Sequence, residues 1–370
     1  MSKDVVSVLD FGSSKLTILT GVKEVNNSFK LLASCDCEYD GFTNGEFVDS
    51  NALKTYIVDT IHKVEKDLGY RINYLYVGVP AEFCFVYDKV IVKNFNKKTK
   101  ITTKIIDSLF LEDTDDNPYP THTVINKSPL YYIINEDNKT NDPLNMLANK
   151  IQVKASYILV ENQFKLLIGG ILESVGIKDY DFLSNSLSEA LYLIDEHRRN
   201  EGIYLVDCGF ITTSVAQIQG DGLQELKSFS QGGGFITADL SQILDISYEE
   251  AEEIKMQAII SLKPQGMDYY QTSTGKKFGI KTINEIILAR LDKIVELVKK
   301  CINSFTPELP EYIPICFTGG GINFLEGITD YLRHEFDRPI EMVKPRALLY
   351  ARPDLSSSVS LLNMAINIYK

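Results

Sequence analysis

The sequence predicts an α/β protein made of two duplicated lobes, with a small α+β unit inserted in the first. Three observations predict it. The chain has 370 residues, more than one simple hydrophobic core usually serves. A strand–Asp-x-Gly–strand pattern occurs twice, 197 residues apart. The stretch between the two copies has a different character.

The first copy opens with Val5-Val6-Ser7-Val8-Leu9, a short apolar, β-branched run of the kind that forms a buried strand. Asp10-Phe11-Gly12-Ser13-Ser14-Lys15 follows, then a strand over Leu16–Gly21, a turn at Asn26-Asn27 and a strand near Phe29–Leu32. The second copy runs Ile203–Val206, Asp207-Cys208-Gly209, a strand over Thr212–Ile218, a Gly220-Asp221-Gly222 turn and a strand over Leu223–Phe229. A third glycine loop, Thr318-Gly319-Gly320-Gly321-Ile322-Asn323, follows the strand Ile315–Phe317. Apolar residues at Phe324, Leu325, Ile328, Leu332 and Phe336 then recur at helical spacing. Lobes duplicated in this way imply a cleft between them.

Helices are expected over Asn51–Leu68, where Leu53, Ile57, Ile61 and Val64 share a face, and over Phe164–Val175. Between the copies, strand-like runs at Phe83–Tyr87, Val90–Val92, Tyr131–Ile134 and Val153–Leu159 flank one helical stretch, Lys104–Leu111. Polar, turn-rich segments lie at Glu112–Pro120 and Asn135–Pro143. The predicted division is 1–81 and 159–200 for the first lobe, 82–158 for the insert, 201–245 and 311–370 for the second lobe, and 246–310 for its small helical subdomain.

Composition is that of an ordinary globular protein, 44% apolar and 24% charged. The net charge of -12 argues against nucleic acid, which calls for a basic face, and against adhesion of the bulk surface to anionic lipid. Cys35, Cys37, Cys84, Cys208, Cys301 and Cys316 lack zinc-ribbon spacing and read as reduced thiols. His62, His122, His197 and His334 form no metal pattern. The N-terminus has no signal-peptide pattern and no run approaches the length of a membrane span.

The loops carry the chemistry. Glycine lets the backbone approach a phosphate closely. The amides and hydroxyls of Ser13 and Ser14 can cradle its oxygens, and Lys15 can neutralise charge. Asp10 is placed to hold hydrated Mg²⁺. One Asp-x-Gly-Ser alone is a simple β-turn; two copies and a third loop point to nucleotide. Ser247-Tyr248-Glu249-Glu250 is a capping box that starts a helix bearing Glu252 and Lys255 on one face. That pair can meet a ribose or base, or be a solvated ion pair.

Together these residues resemble the actin, hexokinase and heat-shock ATPase superfamily, and within it the FtsA family of bacterial cell-division proteins. Val6–Gly21 resembles the first phosphate motif and Ile203–Gln217 the second. Gly232-Gly233-Gly234-Phe235-Ile236-Thr237-Ala238-Asp239, Ala251-Glu252-Glu253-Ile254-Lys255 and Thr318-Gly319-Gly320 resemble further family segments. In the insert, Ile101-Thr102, Asp107, Asp142-Pro143-Leu144-Asn145-Met146 and Ile151–Val153 resemble FtsA's extra subdomain.

The resemblance implies a two-lobed actin-like fold with ribonuclease H-like lobes. It implies ATP and Mg²⁺ in the cleft, with Asp10, Gly12, Ser13, Ser14, Lys15, Asp207, Gly209, Thr212, Gly233, Gly234, Glu252, Lys255, Gly319, Gly320 and Gly321 at the nucleotide and Asp10 and Asp207 at the metal. It further implies filaments or dimers through the insert, a meeting of the 246–310 subdomain with the C-terminal peptide of FtsZ, contacts with other divisome proteins, and a cytoplasmic protein recruited to the inner face of the membrane at the division site. No catalytic residue is identified, and slow hydrolysis at best is expected.

Two departures stand out. The family's second phosphate loop usually reads Asp-x-Gly-Gly-Gly-Thr, where this chain has Asp207-Cys208-Gly209-Phe210-Ile211-Thr212. FtsA usually continues into a linker and an amphipathic membrane helix, whereas this sequence stops at Asn367-Ile368-Tyr369-Lys370. Either a tail is missing or another anchor serves. Two rival readings share the superfamily core: a PilM-like scaffold of type IV pilus assembly, and a small-molecule kinase, for which no substrate-side base is evident.

Overall fold

The computed structural model describes residues 5–24, 28–113, 118–260, 268–347 and 350–368. The expected turn at Asn26-Asn27 lies outside them, as does part of the polar segment 112–120.

The first lobe opens with β1 (Val5–Phe11), β2 (Lys15–Lys23) and β3 (Phe29–Glu38), an antiparallel meander. A small hairpin, β4 (Phe42–Thr43) and β5 (Glu46–Phe47), leads into α1 (Ser50–Leu68). The Asp49 carboxylate caps α1 at Asn51 N and Ala52 N, and Gly69 ends it in the left-handed region at φ 76°. β6 (Tyr74–Val79) then pairs parallel to β1.

The insert follows as β7 (Cys84–Lys100), α2 (Thr103–Leu111), β8 (His122–Ile134), β9 (Asn138–Thr140) and β10 (Leu147–Glu161). The chain returns through α3 (Asn162–Ser174), β11 (Asp179–Ser184), α4 (Asn185–Leu193) and α5 (Glu196–Glu201). The second lobe repeats the plan with β12 (Ile203–Cys208), β13 (Thr213–Gln219) and β14 (Gly222–Phe229). Then come α6 (Gly234–Leu244), α7 (Tyr248–Gln257), the hairpin β15 (Tyr269–Gln271) and β16 (Lys277–Gly279), and α8 (Ile280–Asn303). The chain closes with β17 (Ile315–Thr318), α9 (Ile328–Glu335), β18 (Ile340–Met342) and α10 (Ser356–Ile368).

The two main sheets have the same topology: order β11-β6-β1-β2-β3 in one and β14-β13-β12-β17-β18 in the other. In each, three antiparallel strands adjoin two parallel ones. The duplication read from the Asp-x-Gly repeats is therefore a duplication of whole sheets. Each lobe has its own core, around Leu9, Ile57 and Phe164 in the first and Tyr204, Ile287 and Phe317 in the second. A third cluster joins both sheets, with Val6 and Leu187 packed beside Leu205, Ile218 and Leu362. The lobes thus share a hydrophobic floor beneath the cleft.

Three local expectations change. From Cys84 on, the runs Phe83–Tyr87 and Val90–Val92 belong to one long strand, β7, at an edge of the inserted sheet in the order β7-β10-β8-β9, while Phe83 ends the short turn Ala81–Phe83. The helix expected from Phe324 begins at Ile328, after Gly327 at φ 89°, and Phe324 itself is exposed. The last helix, α10, expected in the second lobe, lies against α4 and across β1 and β2. Its apolar residues Val359, Leu361, Leu362 and Met364 are buried in the shared floor, so the C-terminal segment ties the lobes together. All six cysteines are free thiols, as their spacing implied.

Candidate nucleotide cleft

Both Asp-x-Gly loops are tight turns between antiparallel strands, closed by the same bond. Gly12 N donates to Lys15 O at 2.9 Å, and Gly209 N donates to Thr212 O at 2.9 Å. Asp10 and Asp207, near the ends of β1 and β12, therefore face each other across the space between the sheets. That space is a cleft of about 970 Å³. It is lined by Asp10, Gly12, Ser13, Ser14, Lys15, Asp207, Gly209, Thr212, Glu252, Gly319 and Gly320.

Four other expected residues stand behind that lining. Gly233, Gly234 and Gly321 let backbones cross at close range: a Cβ on Gly233 would sit 1.9 Å from Gly321 O. Gly233 N donates to Gly209 O at 2.9 Å, and Gly234 N to Phe210 O at 2.7 Å, so this glycine run braces the second loop. Lys255 is buried. Its Nζ reaches Glu252 Oε2 at 2.7 Å and Thr237 Oγ1 at 2.9 Å. The pair expected to meet a ligand together divides its labour: Glu252 lines the cleft and Lys255 holds it in place. The capping box is present, with Ser247 Oγ accepting from Glu250 N and the Glu250 carboxylate accepting from Ser247 N.

The floor carries groups that motif reading misses. Asp10 Oδ1 accepts from Asn185 Nδ2 at 2.8 Å and from Ser357 Oγ at 2.9 Å. Glu189, one turn further along α4, is 2% exposed and lines the cleft, and its Oε1 has no hydrogen-bond partner. Burial pushes Asp10 up to about 6, partly offset by the Ser357 and Asn185 bonds. Burial, with Asp10 nearby, pushes Asp207 up to about 7. Burial and then the charges of Asp207 and Asp10 hold Glu189 well above the usual carboxylate range. The available signal was the strand-to-helix junction Ser184–Asn185, which aims a helix N-terminus at the cleft; sequence spacing alone does not connect residue 185 with residue 10.

Three crowded carboxyl groups, one of them with an oxygen that lacks a partner among the described residues, suit a divalent cation by charge. Among the described residues they do not form a ready-made metal cluster. The first loop suits an anion, with Ser13 and Ser14 at the lining and Lys15 free to leave its exposed partner Asp36, 3.2 Å away. Gly319, at φ 91°, passes so close to Asp207 that a Cβ would lie 2.2 Å from Oδ1. Only glycine serves there.

The chain is similar to known proteins over nearly its whole length. The family model described as "Cell division protein FtsA" matches residues 204–360. The FtsA of Staphylococcus epidermidis (strain ATCC 12228) is 23% identical over 97% of this chain and 78% of its own length. That of Bacillus subtilis is 21% identical over 96% of this chain and 82% of its own. The resemblance to FtsA is borne out. Among solved structures, the PilM-PilN type IV pilus biogenesis complex is similar with a TM-score of 0.64 and 14% identity, covering 98% of each chain. MreB5 of Spiroplasma citri bound to ADP has a TM-score of 0.57 and 13% identity, over 99% of this chain and 98% of that one. At such identities these two likenesses establish the fold of this FtsA-like chain, the two-lobed actin-like fold that the sequence predicted.

Proposed function

We propose that this chain is an FtsA-like cytoskeletal adaptor of bacterial cell division, with an adenine nucleotide held between its lobes. The similarity to FtsA across nearly the whole chain carries the reading, and the cleft built from both Asp-x-Gly loops supports it. The nucleotide's phosphates would meet the first loop, Gly12–Lys15, and its nucleoside the Glu252 and Gly319-Gly320 side. Mg²⁺ would be held by Asp10 and Asp207, offsetting the charge of the phosphates. Asn185 and Ser357 orient Asp10, and Lys255 orients Glu252. Among the described residues no group stands out as a base that activates water, so nucleotide acts as a structural ligand with turnover well below the ~10 s⁻¹ of typical enzymes.

By the same likeness, the 246–310 subdomain meets the FtsZ C-terminal peptide, and the 82–158 insert meets another copy of the chain and other divisome proteins. No described helix is long and apolar enough to cross a membrane; the protein would reach the division site at the membrane through partners or a tail. The likeness to PilM concerns the fold, and the Asp142–Met146 stretch favours FtsA. Co-sedimentation of the purified chain with a fusion carrying the FtsZ C-terminal peptide, with and without ATP, tests the reading. Peptide-dependent pelleting is expected; none under either condition would overturn the adaptor assignment.

A further inference from the structure

The two loops that should share a phosphate touch each other directly. Ile211 N donates to Ser13 Oγ at 2.9 Å, so one amide of the second loop is spent on the first loop and the Ser13 oxygen is held against it. A Cβ on Gly209 would lie 3.2 Å from Ser13 Oγ, and one on Gly41 would lie 3.0 Å from Ile211 Cδ1. Ser13 is thus enclosed by the second loop, with Ile211 wedged against the Gly41 turn. Next to it the Phe210 ring lines the cleft, edge-on to Tyr248 with centroids 6.3 Å apart and with Lys255 Nζ 5.8 Å from its centre. Its backbone is fixed by the Gly234 amide. The loops make the same turn, yet the first offers two hydroxyls at the position where the second offers Phe and Ile.

Charge points the same way. Among the described residues, nine carboxyl side chains line the cleft and one amine, Lys15, opposes them. Lys255, the other cation near the loops, is committed to Glu252 and does not line it. Each additional phosphate brings negative charge towards Asp10, Asp207 and Glu189 in a poorly solvated place, where like charges repel strongly.

We infer that the Ser13–Ile211 bond and the Phe210 ring close the phosphate gap, so that the cleft takes adenosine and adenosine diphosphate in preference to the triphosphate. The inference rests on the adenine-nucleotide reading above and adds the number of phosphates to it. A terminal phosphate between the loops must break the Ser13–Ile211 bond, part Ile211 from Gly41 and approach the three acids. A shorter ligand can use the outer part of the first loop and leave the latch intact. Phe210 and Ile211 are then specificity-determining residues that act by exclusion, and Ser13 is their anchor.

Isothermal titration calorimetry of the full chain with adenosine, ADP and ATP, each with and without Mg²⁺, tests this. ADP is expected to bind at least as tightly as ATP in Mg²⁺, and roughly tenfold or more tighter without it. Phe210→Gly/Ile211→Gly should shift the ATP-to-ADP ratio towards ATP by about tenfold, with a melting curve as the check on folding. Should that variant fail to fold, the ratio for the unaltered chain still decides. ATP binding tenfold tighter than ADP to the unaltered chain would overturn the latch while leaving the nucleotide reading standing. Failure of all three ligands to bind would overturn both.

Discussion

The acids on the floor of the cleft give the molecule a pH dependence of definite sign. Burial pushes Asp10 up to about 6 and Asp207 up to about 7, from an ordinary value of 3.8. Between about pH 4 and 7 the folded chain therefore holds more protons than the unfolded one, and stability falls as pH rises through that window. In metal-free buffer the melting temperature should decline from pH 5 to pH 8. Asp207→Asn should flatten the decline and raise stability at pH 8 by on the order of 2 kcal/mol. Mg²⁺ should stabilise the chain more at pH 8 than at pH 5.5, because the acids must ionise to hold it. A melting curve that rises over this range would contradict the assignment. At Gly319 a substitution meets two obstacles, φ of 91° and the Asp207 carboxylate. Gly319→Ala is expected to cost about 1–3 kcal/mol in urea unfolding, and Gly279→Ala, with open space around it, should cost far less.

At the scale of elements, the sequence revealed those whose signals are local. The capping box named α7 from four residues, and the face Leu53, Ile57, Ile61 and Val64 named α1, because both depend on neighbours one turn away. Removing the cap oxygen tests the first: Ser247→Ala should lower stability by about 1 kcal/mol and loosen Glu252, seen as faster amide exchange along α7. What remained hidden depends on distant pairs. Asn185 meets Asp10 across 175 positions and Ile211 meets Ser13 across 198, and no periodicity encodes either. The start of α9 was misplaced because Phe324 and Leu325 continue the helical spacing, whereas Gly327 in the left-handed region sets the true boundary. In the same way α10 reads as an apolar helix anywhere in the chain; only the shared floor under both sheets decides where it seats.

The whole molecule bears on assembly. In β8 the apolar run Leu130–Ile134 has its alternate residues Leu130, Tyr132 and Ile134 buried. Tyr132 and Ile134 pack in the insert's own core with Ile151 and Val153. The insert is further tied to the second lobe, where Ser156 Oγ donates to Leu223 O at 2.6 Å and Asp221 N to Pro129 O at 3.0 Å. The longer edge strand of the insert is β7, paired on one side only among the described residues, with Val90 52% and Val92 48% exposed on the same face. An edge with unpaired backbone groups and apolar side chains invites another chain. If the insert of one copy meets the second lobe of the next, the contact is heterologous and repeats into a filament. A net charge of -12 opposes that contact at low salt, and screening relieves it. Because deleting 82–158 would also strip the bonds to Leu223 and Asp221, substitution is the sharper test. Val90→Lys/Val92→Lys should leave the melting temperature within a few degrees and abolish filaments seen by electron microscopy at moderate salt. Filaments of unchanged length in that variant would place the contact away from β7.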